Sequence, residues 1–571
     1  MPRNSSVVGV VGLGSVGGPL IALLRAAGHE VIGVDNDPDV LARVERRTKA
    51  VAGPAYTLTN DTVALVRANL VVEAVPEDLG AKTAILRQLH AVCRDHTVLV
   101  STSAALPLNR LAIASGRPAR TLGLRMLRPP APGIAVEPLH TAMTDDDASA
   151  ALKVLLDGLG TPQVPLGARP AADATAMLHA YLNRAIQMVG QGYAGQQAVD
   201  TAMRLGCGLP TGPLRLVDEI GLDTVHSTLL NLLDRTGDEA YRPASMLGSL
   251  VRAGLLGRKS GQGFYAYDEA EPASTPHDPD LSGAVARVGI VGSGTMARGM
   301  AEAITVAGLP VLLVARGADR AREARQAIET SLTRSMRRGR ITPEDKRGAL
   351  ERLTTTDRRS GLGQCDVVVE ATAEDLAVKE EQFADLGARC RPGTLLATTT
   401  SSLSVAACAE ASGRPEDVVG LHFFNPAPVM RLVELVTTPR TSAVSVAAAR
   451  ALCERVGKTV VPCPDRAGFI VNHLLFRFLA DAVRLLDGND TDVETTDAAV
   501  EGGLGHPMGP FALLDTIGLD VSVAILRRLH EEFPDGGYAP PDLLEQLVTH
   551  GLLGRKSGQG FRRVPARVAL S

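Results

Sequence analysis

The sequence predicts an α/β plus all-α protein in which one unit, a doubly wound parallel sheet followed by a helical domain, occurs twice. Three observations predict it. The decapeptide LLGRKSGQGF at 255–264 recurs unchanged at 552–561, an offset of 552 − 255 = 297 residues. A fixed long offset is the mark of repeated structural units. Short apolar runs alternate with helical stretches early in each copy: VVGVVG, VIGV, LVVEAV and TVLVS, then VGIVG, VLLV, DVVVEA and TLLAT. That alternation is the pattern of a parallel sheet covered on both faces. After about residues 168 and 465 the strand pattern stops, and long helical periodicities such as PAADATAMLHAYLNRAIQMV and RAGFIVNHLLFRFLADAVRLL take over.

Near the start of each copy the offset is smaller. Gly12 matches Gly292, a difference of 280, so the second copy carries 297 − 280 = 17 extra residues before Val368. The segment EAEPASTPHDPDLSGAVA, rich in Pro, Ser and Asp, reads as a linker. The expected domains are 1–168 (sheet) and 169–268 (helical), a linker over 269–285, then 286–464 (sheet) and 465–571 (helical).

Composition narrows the function classes. Lys+Arg 59 against Asp+Glu 63 gives a net charge of −4, with no basic excess to hold a nucleic-acid backbone. Tryptophan is absent and aromatics are 3 %, which argues against a base-stacking platform. The 7 cysteines are not closely paired, which argues against a disulfide scaffold or a zinc site and fits a reducing cytoplasm. No metal is expected. The uncharged run SSVVGVVGLGSVGGPLIALL at 5–24 is long enough to imitate a membrane span. It is rich in glycine, and a similar run with charges inside it recurs mid-chain, so it reads as part of a globular domain.

Within that run Gly12-Leu-Gly14-Ser-Val-Gly17 follows a strand and opens a helix, and Asp35 ends the next strand. Glycines in this order allow a tight turn and bring backbone amides at a helix N-terminus close to a pyrophosphate. A carboxylate at the second strand end accepts from ribose hydroxyls. The first copy is therefore expected to be a Rossmann-type domain able to hold NAD(H). The second copy has Gly292-Ser-Gly294-Thr-Met-Ala297, but its strand ends in Val314-Ala315-Arg316, with Arg320 nearby. A guanidinium in place of the acid suits a 2′-phosphate, so the second copy is expected to favour NADP(H), with NAD(H) still acceptable.

The second copy also contains TTTSSL (398–403), GLHFFNPAPVMRLVELV (420–436) and AGFIVNHLLF (467–476). Across its whole length it resembles the L-3-hydroxyacyl-CoA dehydrogenase family, which includes the 3-hydroxybutyryl-CoA dehydrogenases. The resemblance implies interconversion of 3-hydroxyacyl and 3-ketoacyl thioesters of CoA or acyl carrier protein. It implies His422 as the acid/base and Glu434 as the carboxylate bonded to its other nitrogen. Ser401 and Asn472 would position substrate oxygens, and Asn425 would support them. Glu374 and Lys379 would line the cofactor ribose and the edge of the site. The extra residues fall in SLTRSMRRGRITPEDKRGALERL (331–353), where the family contacts coenzyme A. Ser331 and Arg338 align with those contacts, and Arg334, Arg337 and Arg340 add positive charge. Histidine suits the proton step because its ordinary pKa is near neutral. Dehydrogenation of a non-thioester 3-hydroxyacid, and a nucleotide-binding scaffold without turnover, are the alternatives.

The first copy lacks most of these groups. Ser401 corresponds to Ala104, His422 to Arg125, Asn425 to Arg128 and Asn472 to Thr175, whereas Glu434, Glu374 and Lys379 persist as Glu137, Glu77 and Lys82. A guanidinium does not give up its proton in a protein, so Arg125 is no base. Arg125 is expected to pair with Glu137. The family dimerises through its helical domains, which implies an intramolecular pseudo-dimer of one active and one inactive copy, with further homo-oligomerisation open.

Overall fold

The computed structural model describes residues 6–166, 173–267, 285–488 and 491–563. Nearly all of the expected linker lies outside the described residues.

The first sheet has seven strands: β1 (Val7–Val11), β2 (Glu30–Val34), β3 (Tyr56–Thr59), β4 (Leu70–Glu73), β5 (Val98–Ser101), β6 (Thr121–Arg125) and β7 (Glu137–Leu139). Their order is β3-β2-β1-β4-β5-β6-β7, parallel except for the β6/β7 pair. The second sheet has eight: β8 (Val288–Val291), β9 (Val311–Val314), β10 (Leu353–Thr356), β11 (Val367–Glu370), β12 (Leu395–Thr398), β13 (Val418–Phe423), β14 (Leu432–Thr437) and β15 (Thr459–Pro464). Their order, β10-β9-β8-β11-β12-β13-β14-β15, repeats the first. Where β15 would stand, the first copy has an isolated bridge between Val136 and Gln163. Strands β4, β5, β8, β11 and β12 are buried at every position, as expected of central parallel strands covered on both faces. In each sheet the winding reverses between the first strand and the fourth, which opens a crevice at the strands' carboxyl ends.

The membrane-like run resolves into β1, the glycine turn and the helix Gly17–Ala26. No described helix is long and apolar enough to cross a membrane. The extra residues of the second copy form a helical hairpin, Ala318–Arg337 and Pro343–Arg352, where the first copy has only Pro38–Lys49. Thr342 and Asp345 close a reciprocal capping box at the start of the second arm.

The duplicated decapeptide makes a turn at the end of each helical domain. Asp218 accepts from the amides of Phe264 and Tyr265 (2.8 and 2.9 Å), and Asp515 from those of Phe561 and Arg562 (3.0 and 2.9 Å). Gly257 and Gly554 have φ of +91° and +79°, and a Cβ on either would lie 2.4 Å from the Asp218 or Asp515 carbonyl oxygen. Backbone crowding accounts for the glycine at this position in both copies.

The two helical domains share one core. Helix Ala174–Gly190 packs on helix Val471–Asp487, with the rings of Tyr181 and Phe478 edge-on at 5.6 Å. Arg184 donates to the Gly536 carbonyl (2.9 Å), the Tyr193 hydroxyl to that of Pro464 (2.9 Å), and the Ala135 amide to that of Gly502 (2.8 Å). Arg466 lies 3.6 Å over the Tyr193 ring. Cut free as residues 286–571, the second copy would expose Phe478 and its neighbours. Light scattering on that fragment is expected to show self-association or aggregation; a stable monomer would contradict this packing.

Candidate active site

The antiparallel pairing of β13 and β14 sets His422 directly opposite Glu434. Twelve residues of sequence thus become one cross-strand pair. His422 Nδ1 and Glu434 Oε2 are 2.6 Å apart, and both side chains are buried. A carboxylate partner means that Nδ1 carries the proton, an assignment made from the hydrogen-bond network. Nε2 is then the nitrogen left for the cavity that His422 lines. The other oxygen of Glu434, Oε1, accepts from the amides of Ile470 and Val471 (3.0 and 2.9 Å), where helix Val471–Asp487 begins. One carboxylate therefore orients the imidazole and holds the helical domain to the sheet, and the helix N-terminus favours its charge. Phe424 and Phe469 flank the ring at centroid distances of 4.5 and 5.4 Å. Phe469 has φ of +47°, a left-handed backbone that is uncommon for a bulky side chain.

Ser401, Asn472, Asn425 and Glu374 line the same cavity, of about 980 Å³. Asn472 Nδ2 donates to the Ser401 carbonyl at 3.4 Å. The Ser401 amide and hydroxyl both donate to Glu374 Oε1 (2.9 and 3.2 Å), which also accepts from the Thr400 hydroxyl at 2.6 Å. Lys379 departs from the expectation. It is fully buried, bonded to Glu370 (2.9 and 3.1 Å) and 3.6 Å from Glu374, and it lines neither this cavity nor the dinucleotide cleft. Its charge braces Glu374 from beneath.

The dinucleotide cleft adjoins, at about 650 Å³, and is lined by Gly292, Gly294, Arg316 and Arg320. A Cβ on Gly292 would sit 2.2 Å from the Ala371 carbonyl oxygen, whereas Gly294, at the N-cap of helix Thr295–Val306, has open space. The turn is therefore tight on the protein side and clear on the ligand side, which fits a pyrophosphate against helix amides. Arg316 is exposed at the end of β9. Ala297 is fully buried under its helix and is no part of the cleft lining. Its small size serves the close helix–strand packing on which a dinucleotide turn depends. Gly17 has the same role in the first copy, because a Cβ there would meet the Gly12 carbonyl oxygen at 2.0 Å.

A third cleft, of about 430 Å³, is lined by Ser331, Arg334, Arg338, Arg340, Arg298 and Asn425. Arg337, grouped with this cluster by sequence, is absent from the lining. Sequence reasoning missed Glu302 in the cleft floor. Burial pushes its carboxyl above the ordinary value, against hydrogen bonds from Ser331 and Ser335 and the nearby Arg334. Ser331 is therefore partly engaged within the protein.

In the first copy Gly12, Gly14 and Asp35 line a cavity of about 530 Å³. Asp35 accepts from the Leu13 amide at 2.7 Å, which fixes its carboxylate across the glycine turn. Arg125 pairs with Glu137 as expected (Nε to Oε2, 2.7 Å), and also with Asp173 at 2.5 Å. Asp173 caps helix Ala174–Gly190 and was not identified from sequence, since it lies 48 residues away and marks no motif. His179, buried and one helical turn beyond Thr175, lines this cavity and was also missed. Burial lowers its pKa to about 4, so it is neutral near pH 7. Among the described residues no group of His, Cys, Asp and Glu could hold a metal ion.

A glycine-turn cleft beside a buried His–Glu dyad, at a sheet–helix domain boundary, defines the nicotinamide-dependent dehydrogenase class. The 3-hydroxyacyl-CoA dehydrogenase NAD binding domain matches residues 7–168 and 287–466, and the family's C-terminal domain matches 174–267 and 468–564. The chain belongs to the 3-hydroxyacyl-CoA dehydrogenase family. It is 42 % identical over 283 residues to the 3-hydroxybutyryl-CoA dehydrogenase of Mycobacterium tuberculosis, covering 49 % of this chain and 99 % of that one. It is 39 % identical over 285 residues to the mitochondrial hydroxyacyl-coenzyme A dehydrogenase of Mus musculus, covering 48 % and 90 %. The solved 3-hydroxybutyryl-CoA dehydrogenase of Escherichia coli superposes over 96 % of this chain and 100 % of its own, with 20 % identity and a TM-score of 0.58, a likeness of fold spanning both copies.

Two substitutions test the buried carboxylate networks of the two copies. Glu434→Ala strands the Ile470 and Val471 amides and is expected to cost about 3 kcal/mol. Arg125→Ala leaves Glu137 and Asp173 without their cation and is expected to cost roughly 4 kcal/mol. Chemical denaturation of each variant measures both.

Proposed function

We propose that the chain interconverts 3-hydroxyacyl-CoA and 3-ketoacyl-CoA thioesters, with the chemistry in the second copy. The observation that carries this is the His422–Glu434 dyad at the floor of a cavity shared with Ser401 and Asn472, next to the Gly292/Gly294 cradle. When bound, the nicotinamide ring supplies or accepts the hydride. In the oxidising direction His422 Nε2 takes the proton of the substrate's C3 hydroxyl, and in the reducing direction it returns one to the C3 oxygen. Glu434 holds the imidazole in the productive tautomer and stabilises the imidazolium that forms. Ser401 and Asn472 fix the substrate oxygens so that the proton travels a short path. Arg298, Arg334, Arg338 and Arg340 offer positive charge to the phosphates of coenzyme A. A carrier-protein thioester would meet the same rim.

The first copy keeps the cradle and Asp35 and so holds NAD(H), but Arg125 leaves it without the proton-transfer step. The seven free cysteines suit a reducing compartment such as the cytoplasm. In the second copy Arg316 and Arg320 suit a ribose 2′-phosphate, so NADP(H) is favoured there over NAD(H).

Reduction of acetoacetyl-CoA, followed by loss of NAD(P)H absorbance, tests the activity. His422→Gln is expected to lower kcat by about 10³-fold with little change in KM. Wild-type activity in that variant would refute the assignment. For the cofactor, the wild-type KM for NADPH is expected to lie below that for NADH, and Arg316→Ala to reverse the order. Equal KM values in both proteins would remove the role given to Arg316.

A further inference from the structure

The cavity that holds the dyad is not built by the second copy alone. From the first copy Tyr181, Met203, Cys207 and Leu209 line it, facing Phe476 and Ile525 of the second. Three of the first-copy residues are reached through helix Gln196–Cys207 and the turn after it, and Tyr181 comes from helix Ala174–Gly190. The contact is tight. A Cβ on Gly206 would meet side-chain methyls of Leu432 in β14 at 2.9 Å and of Val471 at 3.0 Å, so this helix lies directly against the elements that carry Glu434 and Asn472.

The wall contributed by the first copy is almost wholly apolar. Beyond His422 and Glu374, the titratable groups lining the cavity are Tyr181, Cys207, His506 and Arg528. His506 is held neutral by burial and by the nearby Arg128, with its pKa lowered to about 4. Arg528 is paired with Glu531 at 3.1 Å. No charged side chain therefore projects from the first-copy wall to receive a second carboxylate or a phosphate. At about 980 Å³, a volume that also takes in the catalytic residues and the edge of the dinucleotide cleft, the cavity is near the upper end of small-molecule sites and leaves room beyond a four-carbon acyl group. An apolar wall left wet by a short substrate is unfavourable, and a longer hydrocarbon chain would cover it.

We propose that the first copy, which lacks the base, is the specificity half of a composite active site: its residues Met203, Cys207 and Leu209 close an acyl pocket that takes unbranched apolar acyl chains well beyond four carbons. This rests on the thioester activity proposed above. Met203, Cys207 and Leu209 act on chain length and touch none of the reacting atoms.

The test uses the full-length protein, with acetoacetyl-CoA and 3-ketododecanoyl-CoA compared by kcat/KM in the reducing direction. Wild type is expected to turn over the twelve-carbon substrate at least as efficiently as the four-carbon one. Cys207→Trp, which fills the pocket from the first copy, is expected to lower the twelve- to four-carbon ratio by roughly tenfold or more. Leu209→Ala, a milder change that opens the same wall, is expected to raise the sixteen- to twelve-carbon ratio several-fold and guards against a folding failure of the tryptophan variant. Ratios unchanged in both variants, or a wild type that reduces acetoacetyl-CoA but not the twelve-carbon substrate, would overturn the inference and leave the thioester activity standing. A wild type that reduces no acyl-CoA would overturn the activity and the inference together.

Discussion

The carboxylate of Glu434 is the constraint on which the second copy depends. It is fully buried, and a buried charge is tolerated only when it is paired and hydrogen-bonded. One oxygen meets His422 and the other meets the two amides that open helix Val471–Asp487. The proton-transfer group and the seam between sheet and helical domain therefore share one anchor. Asn472 sits one residue past the second of those amides, so the helix position that satisfies Glu434 also brings Asn472 to Ser401.

The first copy solves the same burial problem with a different ion. Glu137 keeps the carboxylate, and Arg125 takes the place of the imidazole between it and Asp173. Asp173 occupies the position of Ile470, so the anion at the helix start comes there from the helix's own cap. A guanidinium retains the electrostatic tie and cannot exchange a proton. The exchange separates two roles, holding the domains together and moving a proton, that the second copy assigns to one pair.

Much of this was legible in the sequence because it is local or periodic. The strand–turn–helix around Gly12 and Gly292 follows from glycine spacing and apolar runs, and a change of offset between the copies locates the 17 extra residues that the structure folds into a helical hairpin. His422 and Glu434 could be paired from a motif because a β13–β14 hairpin converts short sequence distance into contact. Lys379 was named through the family resemblance, and nothing local reveals that its side chain turns inward to Glu370. Arg337 adds its charge from outside the cleft lining, because a run of arginines on a helix cannot all face one cleft. Phe469 carries no motif, and neither its left-handed backbone nor its place beside the His422 ring is written in local sequence.

By itself the sequence determined the duplication, the order of domains, the dinucleotide turns and the base that only one copy retains, since each is written in spacing or in a residue type at a matched offset. The tertiary structure alone decided that Asp173 joins the arginine pair, that Glu302 floors the basic cleft, and that helix Gln196–Cys207 walls the other copy's cavity. These contacts join residues tens to hundreds of positions apart. Their register is fixed by side-chain packing between elements, for which no local pattern of polarity or spacing is diagnostic.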